Sequence, residues 1–260
     1  MEPYVPLKTS ADVTRMRPPC RLLSAILREV GGLIRPELDV AQVDQLCAHR
    51  LNKAHAEVSH RRLGFPGAAS ISVNNVAAHG IPSHRVLEDG DIVTVDISTR
   101  IDGWSADAAW TYVVGQVGPE ALRLLRAAWQ TTNAGVAACR AGRRLGDVAA
   151  VIEHTAARHG CSVVKTFTGH GIGRELHEEP VVANTGSPAM GRPVVPGMVL
   201  TIEPVLSLGN GEVRLLEDGW TYVSADGEFT AQFEHTVSVF SQHTEVLTYD
   251  GSLDTELPPY

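Results

Sequence analysis

Two histidines in one glycine-rich segment are of a type and spacing that could do chemistry. The segment TGHGIGRELHEEP, residues 168–180, contains His170 and His177, seven residues apart, with three glutamates around the second histidine. An imidazole can bind a metal ion or transfer a proton near neutral pH. The segment is therefore either half of an active site or a polar loop between strands, and residues elsewhere in the chain must decide.

Four acidic residues lie in apolar segments with the pattern of β-strands. Asp96 stands in IVTVDIS and Glu203 in MVLTIEPV, while Asp107 and Glu234 lie in segments that can return beside them. A buried carboxylate is costly unless it is paired or bound to a metal ion. Two carboxylates side by side repel one another, so two such pairs suggest cations between them. Taken singly, each acid could instead lie on a solvated strand face.

Together with His170, these acids form a donor set of oxygens and one imidazole. Such a set suits a pair of hard or borderline divalent ions that are bridged by carboxylates. Ions of this kind lower the pKa of bound water and make a nucleophile available for hydrolysis near neutral pH. The whole set is stronger evidence than any member, because a structural role would have to explain each of the five separately.

Helical and strand periodicities alternate along the chain, which predicts two sets of elements around the acids. The helical pattern covers 18–34 with Pro18 and Pro19 in its first turn, 40–55 with Asp39 as cap, 119–141 and 145–159. The strand pattern covers 69–76, a hairpin over 91–115 that turns at Asp102–Gly103, then 199–206, 220–224, 230–240 and 245–249.

A weak internal repeat runs through this alternation. GDIVTVD, residues 90–96, and GMVLTIE, residues 197–203, each have a glycine, five apolar-strand residues and a carboxylate. A His-Gly-Ile precedes each of them, at His79 and at His170. The repeat predicts a duplicated α/β half-domain with the two acids at matching positions around a pseudo-twofold axis, although matches this short also arise by chance.

Composition excludes several classes of protein. The 260 residues are 43% hydrophobic, which can supply a large core, and the net charge of −8 without a Lys/Arg block disfavours nucleic acid as a partner. No run of 18 apolar residues predicts a membrane span, and the first residues lack the pattern of a secretory signal. Four scattered cysteines without a CxxC pair predict a reduced, cytoplasmic chain, and we expect a monomer.

The motifs quoted above, with GFPGAASISVNNVAAHGIP and AQFEHTVSV, occur in the order found in methionine aminopeptidases. The chain resembles their bacterial, type I class over roughly residues 15–248. The resemblance implies an α+β pita-bread fold, with two pseudo-symmetric α/β halves around a curved antiparallel sheet. We expect an N-terminal extension over 1–15, a single catalytic domain over 16–250 and a C-terminal tail over 251–260.

The resemblance also implies how the five donors share two ions. Asp107 and Glu234 would bridge the ions, Asp96 would complete the shell of one, and His170 and Glu203 would complete the shell of the other. Glu203 would in addition take the proton of the bridging water.

Three further roles follow from the resemblance alone. His79 matches a histidine near the scissile peptide, and His177 matches the one that binds the substrate carbonyl. Asn74, Val76 and Thr230 match a monovalent-cation site, which is a weaker correspondence.

The pocket for the substrate side chain departs from the family pattern. Phe65 and Trp220 match its aromatic residues, although both could equally be core aromatics. Arg62 stands where a tyrosine is usual, Ser70 where a cysteine is usual, and Leu176 where an aromatic residue is usual. We expect these changes to leave the metal chemistry intact and to alter side-chain preference or rate.

The activity implied is metal-dependent hydrolysis of the first peptide bond. It would remove the initiator methionine from nascent proteins whose second residue is small, with two Co, Mn, Fe or Zn ions and possible transient proximity to the ribosome. Three alternatives stay open: a paralogue with altered side-chain specificity, an Xaa-Pro dipeptidase-like hydrolase, and a non-catalytic binding module on the same fold.

Overall fold

The computed structural model describes residues 3–248, which form helices and antiparallel strands. The helices are α1 Ser10–Leu33, α2 Val40–Lys53, α3 Ser59–Arg62, α4 Pro119–Ala138 and α5 Leu145–Arg158. The strands are β1 Glu57–Val58, β2 Ser70–Val73, β3 Val76–Ala78, β4 Ile92–Ile101, β5 Trp104–Val113, β6 Ser162–Val163, β7 Gly169–Gly171, β8 Glu178–Val182, β9 Val199–Ile202, β10 Val205–Ser207, β11 Val213–Leu215, β12 Tyr222–Ser224, β13 Thr230–Gln232, β14 His235–Val239 and β15 Thr244–Val246.

The first half of the chain is built on the β4–β5 hairpin. The two strands pair antiparallel over ten residues each, and they turn at Asp102 and Gly103, as the sequence predicts. Both turn residues have positive φ, which suits an Asp-Gly two-residue turn. Helix α1 packs across the hairpin, where the Tyr112 hydroxyl donates a 2.6 Å hydrogen bond to the carbonyl of Leu27. The hairpin is therefore held rigidly against a helix.

The second half of the chain also consists of antiparallel strands with helices packed on them, here in a five-stranded sheet. Its strand order is β15-β14-β9-β7-β8, and α4 lies on β9, β14 and β15 with α5 packed on α4. Trp129 of α4 is fully buried, with its ring 5.3 Å from that of Phe233 in an edge-to-face arrangement. Each half thus consists of antiparallel strands covered on one face by helices.

The internal repeat predicted from the sequence is present in the backbone. Gly90 and Gly197 have φ values of +95° and +93°, and strands β4 and β9 each begin two residues later. The halves meet where the backbone N–H of Glu234 donates to the Ala109 carbonyl at 2.8 Å. This junction brings the acids of the two halves to the same place.

The predicted start of the first helix is wrong. Helix α1 begins at Ser10, because Thr9 and Asp12 form a capping box in which each side chain accepts the other's backbone N–H. Pro18 and Pro19 lie inside the helix and not in its first turn. The boundary expected between residues 15 and 16 falls within this helix, and the division into segments stays a prediction. The predicted C-terminal tail, 251–260, lies outside the described residues.

Several predicted strands are interrupted. The segment 199–206 divides after Ile202, where Glu203 is followed by Pro204, a residue without the N–H that a ladder needs. The segment 230–240 divides at Phe233 and Glu234, and 69–76 divides at Asn74, which has φ +55°. Within residues 3–248, none of the helices is both long and apolar enough to cross a bilayer.

Candidate active site

A cavity of about 600 Å³ opens where the two halves meet, a volume typical of small-molecule and peptide sites. Every residue that the sequence analysis assigns to catalysis, divalent metal binding or substrate binding lines it. These residues are Phe65, Ser70, His79, Asp96, Asp107, His170, Leu176, His177, Glu203, Trp220 and Glu234. Side chains that are far apart in the sequence therefore line the same cavity.

The register of the hairpin places the two aspartates. Asp96 is opposite Ala109, and Asp107 is opposite Ser98, so the acids are offset by two residues on adjacent strands. An offset of two keeps both side chains on one face of the sheet and within reach of each other. The period-two pattern of the sequence thus delivers both carboxylates to the cavity.

The two glutamates lie at strand breaks. His235 pairs with Ile202 at the end of the β9–β14 ladder, and Glu234 and Glu203 are the next residue on each chain segment. Both segments then leave this sheet, and β10 and β13 pair in another one. The glutamates are consequently at the crossing between two sheets, where their side chains are free of the ladder.

His170 on β7 presents one ring nitrogen to the acids. Its Nε2 lies 3.4 Å from Glu203 Oε1 and 3.9 Å from Asp107 Oδ2. Its Nδ1 lies 2.9 Å from the carbonyl oxygen of Gly171. A carbonyl oxygen only accepts, so Nδ1 carries the proton and the lone pair of Nε2 faces the acids, which is the tautomer of a metal ligand.

A threonine connects the histidine with the nearest glutamate. The Thr201 hydroxyl accepts a 2.9 Å bond from the backbone N–H of His170 and donates a 2.6 Å bond to Glu203 Oε1. One lone pair of Glu203 is therefore committed, and its orientation is fixed relative to His170.

Burial controls the pKa values of the acids. It raises the pKa of Asp96 to about 6 and that of Glu203 to about 8, and the pKa values of Asp107 and Glu234 lie well above their usual range. Mutual repulsion among the carboxylates adds to burial at Asp107, Glu203 and Glu234. Four acids held so close carry their full charge only beside compensating cations.

Unpartnered oxygen atoms point to the same conclusion. Asp96 Oδ1, Asp107 Oδ1 and Glu234 Oε1 are buried without a hydrogen-bond partner among the described residues. Buried carboxylate oxygens are expensive to leave unpaired. The donors present, which are oxygens with an imidazole nitrogen, therefore fit divalent ions.

His177 and His79 stand at the sides of this acidic group. The ring of His177 is 4.4 Å from that of His170, and burial lowers the pKa of both His177 and His79. His79 has φ +54°, an uncommon conformation for a non-glycine residue that is often found at functional sites. Both imidazoles are thus neutral hydrogen-bonding groups at neutral pH.

The segment before His177 is fixed by a buried ion pair between Glu178 and Lys8. Glu178 Oε1 also accepts from the backbone N–H groups of Arg174, at 2.7 Å, and Glu175. Of the three glutamates around His177, this one has a structural role: it holds the loop that presents the histidine.

The glycines beside His170 are required by close packing. A Cβ at Gly169 would lie 2.4 Å from the Thr201 carbonyl oxygen, and one at Gly171 would lie 2.2 Å from that of Glu179. Strands β7, β8 and β9 therefore approach one another more closely than a side chain allows.

The wall of the cavity beside the acids is apolar. The rings of Phe65 and Trp220 meet edge to face with centroids 5.4 Å apart, and Ser70 and Leu176 line the same space. Arg62 points elsewhere: it pairs with Glu57 at 3.2 Å and lines a smaller adjoining pocket. Of the three departures noted in the sequence, two therefore face the cavity and Arg62 does not.

Sequence reasoning missed His60. This histidine of helix α3 lines the cavity with its Nε2 3.9 Å from Asp96 Oδ1. One donor atom from each of His60, Asp96 and Asp107 lies within 4.8 Å of the other two. Burial lowers the pKa of His60 to about 4, so the ring is neutral. In the sequence His60 lies in the polar segment SHRR, residues 59–62, which does not indicate a functional site. The only signal for a role in the cavity is that Phe65 follows this segment closely.

The residues of the weaker cation correspondence also come together. The Thr230 hydroxyl donates toward the carbonyl oxygens of Val76, at 2.9 Å, and Asn74, at 3.2 Å. Two carbonyl oxygens and a hydroxyl thus converge outside the main cavity, and their role in cation binding stays a prediction.

Known proteins match this chain along most of its length. A methionine aminopeptidase of Treponema pallidum is 40% identical over 245 residues, which cover 93% of this chain and 95% of the relative. The crystal structure of methionine aminopeptidase from Rickettsia prowazekii superposes with a TM-score of 0.93 at 33% identity, covering 95% of this chain and all of the other. This similarity confirms the pita-bread fold expected from the sequence.

More distant structures share the fold alone. An Xaa-Pro dipeptidase from Bacillus anthracis superposes with a TM-score of 0.70 at 22% identity, and the match covers 95% of this chain but only 63% of that one. Residues 14–240 match the family described as Metallopeptidase family M24. The chain therefore belongs to metallopeptidase family M24.

Proposed function

We propose that this protein is a metal-dependent aminopeptidase that removes the N-terminal methionine of peptides and nascent proteins when the second residue is small. The observation that carries the proposal is the convergence of four carboxylates and His170 beside an aromatic wall in one cavity. The relatives named methionine aminopeptidase, which align over nearly the whole chain, support it.

The acids and His170 would hold two divalent ions. The residues that would hold them are Asp96, Asp107, His170, Glu203 and Glu234. Bound divalent ions supply Lewis acidity and lower the pKa of water near neutral pH. We propose Co²⁺, Mn²⁺, Fe²⁺ or Zn²⁺, because the donor set combines carboxylates with imidazole.

Glu203 would move the proton during hydrolysis. Thr201 fixes one of its oxygens, so the carboxylate is oriented before substrate arrives. In this role Glu203 takes a proton from the attacking water and delivers it to the leaving amine. Its position next to His170 keeps it at the reacting centre.

His177 and His79 would act on the substrate from the sides of the site. Each neutral imidazole has an N–H that can donate a hydrogen bond to a peptide group, and His177 would stabilise the oxyanion that forms at the carbonyl. The buried loop anchor of Glu178 on Lys8 keeps His177 in place for that task.

Phe65 and Trp220 would receive the methionine side chain. Thioethers make favourable contacts with aromatic rings, and an edge-to-face pair offers both a ring face and a ring edge. The free N-terminal amine of the substrate would lie toward the acids. Binding of that amine by a metal ion or an acid would select the first peptide bond and make the enzyme an aminopeptidase.

The test is release of methionine from Met-Ala and Met-Gly peptides by the purified protein with Mn²⁺, Fe²⁺, Co²⁺ or Zn²⁺. We expect release that a chelator abolishes and that added metal restores. Absence of release with all four ions would contradict the proposal, and the Asp107→Asn variant serves as the control for contaminating peptidases.

A second candidate keeps the chemistry and changes the preferred side chain. Ser70 and Leu176 both line the cavity, which favours this alternative. Peptides that differ only in the first residue, such as Met, Leu, Ala and Phe before Ala-Ser, would distinguish the two. An Ala-Pro dipeptide in the same panel tests for Xaa-Pro dipeptidase activity, which we do not expect.

The cellular setting is also a proposal. We propose the cytoplasm as the location, supported by four cysteines that are all free thiols. A monomer with transient proximity to the ribosome would give the enzyme access to nascent N-termini.

A further inference from the structure

His60 is a buried imidazole that the roles proposed above leave without a task. Its side chain is only 13% exposed, and Nδ1 has no hydrogen-bond partner among residues 3–248. The ring packs edge to face on Phe65 with centroids 5.6 Å apart, which directs it into the cavity. No protein acceptor or donor fixes the tautomer at Nδ1, so Nδ1 can carry the ring proton and leave the lone pair of Nε2 for a ligand.

The nearest polar group is one of the acids assigned to the metal ions. His60 Nε2 lies 3.9 Å from Asp96 Oδ1, an oxygen that is itself buried without a partner. The separation is too long for a hydrogen bond. Two donors of one ion, each about 2.0–2.2 Å from it, lie up to about 4.4 Å apart, so the observed distance suits donors that share an ion.

A third donor completes the arrangement. Asp107 also has an atom within 4.8 Å of the His60 and Asp96 donors, and its Oδ1 lacks a partner. One nitrogen and two carboxylate oxygens therefore surround a common point. A closure of a few tenths of an ångström would bring all three to bonding distance.

We propose that His60 is a sixth protein ligand, which binds the divalent ion on the Asp96 side. This inference rests on the proposed function. It gives that ion an imidazole of its own, as His170 does for the other ion. Imidazole favours Zn²⁺, Co²⁺ and Fe²⁺ over Mg²⁺ and Ca²⁺, so the site would discriminate against the abundant hard cations.

The experiment is titration of the metal-free full-length protein with Co²⁺, followed by calorimetry and by visible absorption. We expect two ions per wild-type chain, and we expect His60→Leu to weaken one of them by about tenfold to a hundredfold. His154→Leu, which removes an exposed histidine of helix α5, is the matched control and should leave both affinities unchanged. Circular dichroism of each variant verifies folding, and His60→Gln is a second variant that keeps a polar side chain.

Proton NMR of the Co²⁺-loaded protein separates a ligand from a neighbour. Each imidazole on Co²⁺ gives a strongly shifted exchangeable N–H signal, so the wild type should show two and His60→Leu one. Unchanged Co²⁺ affinities and signals in His60→Leu, with or without a changed KM for peptides, would overturn this inference alone. A wild type that binds no Co²⁺ would overturn the proposed function as well.

Discussion

The acidic end of the cavity and its aromatic wall are built in different ways. The acids Asp96 and Asp107 stand on a hairpin of two ten-residue strands, in a register that fixes both side chains. The wall comes from the loop around Phe65 and from Trp220, which lies between strands β11 and β12. The two aspartates are thus held by a continuous ladder and the two aromatic rings by connecting segments.

This difference suggests that the residues of the reaction and the residues that select the substrate side chain are held by different kinds of structure. Strand ladders hold side chains within the small tolerances that catalysis and metal binding need. Connecting segments vary more easily without loss of the core. Two of the three departures from the family pattern, Arg62 and Leu176, lie off the strand ladders, whereas Ser70 stands on β2 directly opposite Asp96.

The largest effect is expected at the acidic end. Glu203→Gln keeps the shape of the side chain and its contact with Thr201 but removes the proton acceptor. We expect kcat to fall by about a thousandfold. Steady-state release of methionine measures this, with the exposed Glu217→Gln as the matched control, and retention of more than a tenth of the rate would refute the role of Glu203.

Substitution of His177 tests whether this residue acts on the substrate or belongs to the acidic metal-binding group. His177→Ala should lower kcat by about a hundredfold, which corresponds to about 2.7 kcal/mol, because one oxyanion donor is lost. Co²⁺ affinity should be unchanged, since the proposed donors do not include this residue. An unchanged rate would remove His177 from the mechanism, and a parallel loss of metal would make it part of the acidic group.

A change in the aromatic wall should alter the preference for methionine over alanine more than the rate of hydrolysis itself. Trp220→Ala should lower kcat/KM for methionine peptides by about tenfold through lost apolar contact, a cost of about 1.4 kcal/mol. The effect on alanine peptides should be much smaller, because alanine does not reach the ring. Equal losses for both substrates would indicate that Trp220 is a core residue.

The smallest effect concerns the stability of the metal-free protein. Burial raises the folded pKa of Glu203 to about 8 and raises the pKa values of Asp107 and Glu234 well above their usual range, so the folded state keeps protons that the unfolded chain has lost. Stability then falls as pH rises toward these values. Histidines such as His170, with a folded pKa of about 4, oppose this slope only slightly above pH 7, because in the unfolded chain they are already mostly neutral there.

Calorimetric melting between pH 7 and 8.5 measures this slope. We expect the Tm of the metal-free protein to fall by a few degrees over that interval, and the fall to be smaller in Glu203→Gln. Saturating metal should abolish it, because the acids are then ionised in the folded state too. A Tm that rises over this interval would show that the acids are already paired without metal.

Much of this site could be predicted from residue types and local periodicity. Period two placed Asp96 and Asp107 on one face of a hairpin whose turn was also evident, and the glycine-to-acid repeat anticipated matching strand starts at Gly90 and Gly197. The first helix was predicted to begin at Pro18 because a proline pair is typical of a first turn, whereas the helix begins after its capping residue, Thr9. Local sequence patterns therefore predicted the existence and type of the helices and strands better than the residues at which they begin and end.

The sequence by itself determined the chemistry, since carboxylates and imidazoles in apolar strands leave few uses other than binding cations. Only the tertiary structure decided which side chains share the cavity. It brought His60 from a polar helical turn to within 3.9 Å of Asp96, and it directed Arg62 of the same turn away toward Glu57. The physical reason is that the direction of a side chain on a short helix is set by what the helix packs against, and those partners come from distant segments of the chain.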